Sequence, residues 1–234
     1  VDTLELQGEI EMSANKSRGA EAAARPHTRE RILVSTLSLF NQKGPEAVTT
    51  AEIAKAVRIN QGNLYYHFRT KESLVLALFS RFEADALALV RQADAVQGAD
   101  SKAYAGFLRK WFSLIWTHRF LFRDIPGLLA IAPGLKAPIL MVSSGMRLSV
   151  DVIFQRMEDA GLISVAFSDR KPLMTNMWIV STYWAVYLGL QEGISDLASA
   201  HVHWGLGQVA SLLRPYLSPQ ARADLEEMLA EPFA

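Results

Sequence analysis

Residues 49–71 read TTAEIAKAVRINQGNLYYHFRTK. Thr49-x-x-Glu52 has the form of a capping box, a hydroxyl and a carboxylate that satisfy each other's free N–H groups at a helix start. Ile53, Ala54 and Val57 then fall on one helical face. A tight turn follows, and Asn60 stands where it caps a second short helix, on which Leu64 and Phe68 lie four apart and bury together. Two short helices joined this way make a helix-turn-helix: the first braces the second, which is narrow enough to lie in a major groove and reach base edges. With Leu64 and Phe68 turned inward, Gln61, Asn63, Tyr65, Tyr66 and His67 occupy the sides and the outer face. Amide side chains read base edges, whereas tyrosine hydroxyls and histidine suit phosphate. Thr50 and Lys71 open the flanking helices, where free N–H groups attract anions. The helix dipole disfavours Lys71 there, and a bound phosphate relieves that conflict.

Working outward, a helix is expected over 26–43, with Leu33, Leu37 and Phe40 as its stripe and Gly44-Pro45 as its end. Thr70 caps a long fourth helix reaching about Val96, with Leu74, Leu78, Phe82, Ala86 and Leu89 inside. A polar break at 97–101 is followed by helices near 102–118, 138–160, 172–191, 196–214 and 219–230, with a Pro/Gly-interrupted stretch between the first two. No β-type alternation or internal repeat is present. The expected fold is all-α, a three-helix DNA-binding domain over 26–71 joined to a larger helical domain over 72–234.

The zero net charge conceals a segregation. Residues 1–15 carry four acids and no base, residues 16–71 carry ten Lys/Arg against four acids, and the remainder is slightly acidic. Only the middle block can serve as a footprint for phosphate. The absence of cysteine rules out disulfides and thiolate chemistry. Residues 1–25 read as a loose arm without the apolar core of a signal peptide, and Met12 marks an alternative start. The uncharged run 173–190 has the length of a membrane span, but its polar residues and lack of basic flanks favour a helix buried on two faces.

From Arg29 to Leu78 the chain resembles the DNA-binding domain of TetR-family transcriptional regulators. The resemblance is carried by RILVSTLSLFNQKG, by TTAEIAKAV and by the spacing N-x-G-x-L-Y-Y-H-F-x-x-K-E-x-L from Asn60 to Leu74. It implies a cytoplasmic homodimer on a palindromic double-stranded DNA operator, with a divergent C-terminal domain that takes a small effector. It also implies base or phosphate contacts from Thr50, Gln61, Asn63, Tyr65, Tyr66, His67 and Lys71. One position departs from the pattern: the turn that usually carries glycine carries Arg58. A left-handed backbone at Arg58 costs on the order of 1 kcal/mol.

Aromatic and methionine side chains in the larger domain suggest a pocket for a lipophilic effector, with Phe107, Trp111, Trp116, Phe122, Met141, Phe154, Trp178 and Tyr183 as candidate walls. Few charges fall in these stripes, which argues against a strongly charged effector; Arg119, Arg123 and Asp124 are candidate polar anchors. Ser181, Ala185 and Gly189 form a small-residue stripe that, with Gly205, suits close approach of a partner's helices. The letters G-x-G-x-x-A at 205–210 lack the strand a dinucleotide loop needs, and His201 and His203 diverge on a helix. No cofactor, metal or catalytic constellation is indicated. The reading is a ligand-responsive regulator that acts as a repressor; the alternative is a DNA binder of the same fold without an effector pocket, working by occupancy alone.

Overall fold

The computed structural model describes residues 28–95, 100–194 and 197–233; the expected arm over 1–25 lies outside them. Eleven α-helices are present among the described residues, with only an isolated bridge between Ile163 and Leu217 of β character. The first, α1, covers 28–43. It is followed by α2 (Thr50–Val57), α3 (Gln61–His67) and α4 (Lys71–Asp94). The rest comprises α5 (Ser101–Thr117), α6 (Phe120–Arg123), α7 (Ile125–Ile131), α8 (Lys136–Asp159), α9 (Phe167–Gln191), α10 (Ser199–Leu213) and α11 (Pro219–Ala230).

Local chemistry sets the N-terminal boundaries. Thr49 and Glu52 close the expected capping box, and Lys43 reaches the Glu52 carboxylate at 3.0 Å. The Thr49 backbone N–H, then Lys43 and the Thr49 hydroxyl, hold the Glu52 pKa down to about 2, so this cap stays charged through the working pH range. Asn60 caps α3 by accepting from the Asn63 N–H at 2.7 Å, and Thr70 forms a reciprocal box with Ser73. Arg58 ends α2 at φ 59°, ψ 47°, the left-handed region. Its N–H and that of Ile59 bond back to the last turn, so the strained conformation is held by the turn itself. Because Arg58 is exposed, Arg58→Gly should raise unfolding stability by about 1 kcal/mol, read as a higher denaturant midpoint with unchanged m-value. A loss of stability would show that the arginine side chain supports the turn.

The core is continuous from head to body. Ile32, Phe40, Ile53, Leu64, Leu74 and Leu78 belong to the same apolar cluster as Phe112, Leu128, Met146 and Leu206. A second cluster gathers Tyr104, Phe154, Met157, Ile163 and Leu173 where α5, α8, α9 and α11 meet. α4 runs beside both α5 and α8, α9 pairs with α10, and α5 lies against α11. The expected start of α9 at Pro172 is corrected: the helix begins at Phe167, with the proline inside it. Arg170 explains this, since it pins the first turns to α8 through Asp151 at 3.1 Å and Glu158 at 2.7 Å. That anchoring offsets the backbone bond the proline removes.

Among the described residues, the helix with the length and mean hydropathy of a membrane span is Pro133–Asp159, containing α8, rather than the uncharged run 173–190. One face of α8 buries Val142, Met146, Ile153 and Phe154 against the core. α9 is likewise apolar on both sides, with Leu173, Trp184 and Leu188 inside and Ile179, Tyr183, Tyr187 and Leu190 exposed. The expectation that both faces are covered therefore holds for one face within a single chain.

Candidate nucleic-acid interface and effector site

α3 stands on Leu64 and Phe68, both buried, and the Arg29 guanidinium lies 5.0 Å from the Phe68 ring centre. Arg31 donates to the Val57 carbonyl at 2.6 Å, tying α1 to the end of α2. Gln61, Asn63, Tyr65 and Tyr66 are exposed and His67 half-buried, with the Tyr66 and His67 rings edge to face at 5.3 Å. The hydroxyls of Thr50 and Tyr65 lie 3.2 Å apart and link the start of α2 to α3. Two residues assigned separately thus form one polar unit. Lys55, Arg58 and Arg69 are exposed on the same small domain.

Lys71 is more engaged than its position in the sequence suggests. Its ammonium donates to the carbonyls of Pro45 at 2.7 Å and Glu46 at 3.2 Å, closing the loop between α1 and α2 onto the start of α4. These carbonyls relieve the conflict with the helix dipole, the role expected of a phosphate.

In the larger domain three adjoining cavities run between the helices. The first, about 80 Å³, lies among α5, α8, α9 and α11 and is lined by Tyr104, Phe107, Phe154, Met157 and Leu225. The second, about 50 Å³, shares Phe107, Leu108, Val150 and Met177 with the first and adds Trp111, Met146, Arg147 and Trp178. The third, about 40 Å³, shares Trp111 and Trp178 and reaches Phe82 and Phe122. Trp111 and Trp178 stack at 5.7 Å, forming the wall between the last two.

Five of the eight candidate wall residues, Phe107, Trp111, Phe122, Phe154 and Trp178, line these cavities. The other three do not. Met141 is 68% exposed and Tyr183 48% exposed, each on the outer face of its helix. Trp116 instead carries the Arg119 guanidinium 4.0 Å above its ring. Met146, Met157 and Met177 are walls that the sequence placed only in a general aromatic and methionine stripe.

The candidate anchors are also used elsewhere. Arg119 donates to the Trp116 carbonyl, Arg123 to the carbonyls of Asn41 and Gln42, and Asp124 caps α7 through the Gly127 N–H. The Arg119 and Asp124 contacts stay within the larger domain, whereas those of Arg123 belong to a clasp between head and body. The Asn41 side chain donates to the Thr117 carbonyl at 2.8 Å and accepts from the Phe120 N–H at 3.0 Å, beneath a Phe40–Phe120 ring contact of 5.5 Å. Isolated asparagines give no such signal in a sequence, because both partners are backbone groups of a distant corner.

The small-residue stripe is corrected. Ser181 and Ala185 are buried within the chain, the Ser181 hydroxyl donating to the Trp178 carbonyl at 3.0 Å. Gly205 faces inward too: a Cβ there would stand 2.8 Å from the Trp184 ring. These residues let α10 approach α9 inside one chain. Gly189 alone of the four is exposed. The exposed surface of the pair is aromatic, with Tyr187 stacked on Trp204 at 5.8 Å. The 205–210 letters lie within α10, and His201 accepts from the Ala198 N–H at 2.8 Å.

A family model described as "Bacterial regulatory proteins, tetR family" matches residues 32–78, and one described as "Bacterial transcriptional repressor" (TetR) matches residues 81–225. The chain belongs to the TetR family: it is an all-helical, DNA-binding transcriptional regulator that binds DNA through its helix-turn-helix domain, and not an enzyme. It is 44% identical over 52 residues to the HTH-type transcriptional regulator QacR of Staphylococcus aureus, a match spanning 22% of this chain and 28% of QacR. A TetR-family regulator from Marinobacter aquaeolei VT8 is similar at 29% identity and TM-score 0.74, over 86% of this chain and 96% of that one. The ketosteroid transcriptional regulator KstR2 of Mycobacterium tuberculosis shares the fold, at 18% identity and TM-score 0.62 over 81% and 95%.

Proposed function

We propose that this chain is a cytoplasmic, ligand-responsive repressor that binds a palindromic operator as a homodimer and is released from it by a small effector. DNA contact is assigned to Thr50, Gln61, Asn63, Tyr65, Tyr66, His67 and Lys71, within a head over 26–71 and a body over 72–234. The observation that carries ligand response is the clasp. Phe122 walls the third cavity and belongs to α6, whose first N–H is held by Asn41 of α1. The loop that follows α1 is in turn gripped by Lys71. A ligand that enlarges the cavity moves α6, and α6 cannot move without carrying the end of α1 and the reading head with it. Two heads must sit about one helical turn, roughly 34–36 Å, apart to engage adjacent grooves, so a ligand that favours another spacing releases the operator. Operator then weakens ligand binding by the same factor.

The test starts from the DNA fragments that the purified protein retains. On that operator, Asn63→Ala should relax sequence preference, whereas Lys71→Ala should weaken all sequences. If Lys71 also meets a phosphate, its loss lowers the log–log salt slope by about 0.9. An unchanged slope makes it a brace for the loop alone. The occupancy-only reading draws support from the sizes of these three apolar cavities, each well below the roughly 300 Å³ of a typical small-molecule site. A thermal-shift screen of apolar compounds separates the two readings: an effector protein gains stability with some of them and loses operator, and a pure DNA binder does neither.

A further inference from the structure

Arg147 is the single charged residue in positions 137–150 of α8. It lines the middle cavity with Met146, Met174, Met177 and Trp178, yet is itself exposed, so the residue belongs to the rim where that cavity meets solvent. Among the described residues no carboxylate pairs with it. Asp151, one turn further along α8, is held by Arg170, which also takes Glu158. A guanidinium with no partner, at the rim of an otherwise apolar cavity, favours a ligand that brings its own negative charge. Its planar fork matches a carboxylate in two parallel hydrogen bonds, strengthened by the low-dielectric wall beside it.

We propose that the effector is an anionic amphiphile, its carboxylate paired with Arg147 and its apolar chain running along the cavities between α5, α8 and α9. This rests on the ligand-responsive reading and departs from the expectation that the scarcity of charges argues against a strongly charged effector. The walls suit a chain of unspecific shape: methionines at 146, 157, 174 and 177 repack around a flexible guest more readily than branched side chains. The two stacked tryptophans close the inner end of the middle cavity and report its occupancy.

The experiment uses the full chain and three probes that share a straight ten-carbon chain: decanoate, decanol and decyltrimethylammonium. Binding is followed by tryptophan fluorescence and by release of operator. Decanoate should bind about ten-fold more tightly than decanol, the usual scale of one charge-assisted pair, with the ammonium probe weakest. Arg147→Gln should lower decanoate affinity about ten-fold and leave decanol unchanged, while Arg147→Lys retains part of the preference. Arg147 is exposed, so both variants should melt with the parent. Equal binding of decanoate and decanol, or a preference that survives Arg147→Gln, overturns the carboxylate pairing while leaving an effector pocket in place. Failure of all three probes to bind overturns the proposal, and the pocket reading is then decided by the screen of apolar compounds.

Discussion

Gly205→Val should lower the melting temperature by about 5–10 °C. A β-carbon at position 205 meets the Trp184 ring at 2.8 Å and Phe112 at 3.2 Å. Trp184 is 2% exposed and Phe112 fully enclosed, so neither ring can step aside without moving α9 or α5. Overpacking of this kind costs about 1–3 kcal/mol, and two further methyl groups place valine at the upper end. In a chain of this size each kilocalorie shifts melting by about 2–4 °C. Gly207 supplies the control. It lies on the same helix, but a β-carbon there meets nothing within 4 Å. Gly207→Ala should therefore stabilise by up to about 1 kcal/mol through helix propensity alone. A Gly205→Val protein that melts normally but no longer self-associates would restore the reading of this glycine as a surface for a partner.

Tyr187→Asp should convert the proposed homodimer to a monomer in sedimentation and weaken operator binding at least ~100-fold. Ile179, Tyr183, Tyr187 and Leu190 project at helical spacing from α9, and the Tyr187–Trp204 stack joins them to α10. In an isologous contact each aspartate would be buried against the same patch of the other subunit, so the charge is introduced twice. Loss of the linkage between two half-sites removes the gain of intramolecular second binding, typically 10²–10⁴-fold. Because Tyr187 is 48% exposed in the single chain, its replacement should leave the monomer's fold intact, as far-ultraviolet circular dichroism would show. A variant that remains dimeric would move the interface to another face.

These two predictions concern positions where the sequence pointed elsewhere, and the reason is geometric. The head was legible because its signals are local: a capping box needs only Thr49 and Glu52, and Asn60 needs only the N–H three residues on. The left-handed turn at Arg58 was posed only through the family resemblance, as the place where glycine is usual. α9 offered no comparable cue. A helix that is apolar all round carries no phase, so Ser181, Ala185 and Gly205 fit close approach to a partner as well as they fit the close approach of α9 and α10 that occurs. The same ambiguity sent Tyr183 and Met141 to the pocket, although their stripes face outward. Phe107 and Trp111 were legible because large aromatics of an amphipathic helix such as α5 mostly face inward; Trp178, on α9, had no such cue. Arg147 carried a signal that composition counting discards: a lone charge in a long neutral run is more telling than the scarcity of charges around it.

The amide of Asn41 has a bearing on how this protein can be re-engineered. Its side chain donates to one main-chain group of the α5–α6 corner and accepts from another, and Arg123 grips the carbonyls of Asn41 and Gln42, so the end of α1 is fitted to that particular bend of backbone. Head and body are consequently not interchangeable parts. On the ligand-responsive reading proposed above, a chimera that grafts this head onto another regulator's body should keep the head's DNA preference but lose the response, unless the recipient offers the same two backbone groups at the same distance.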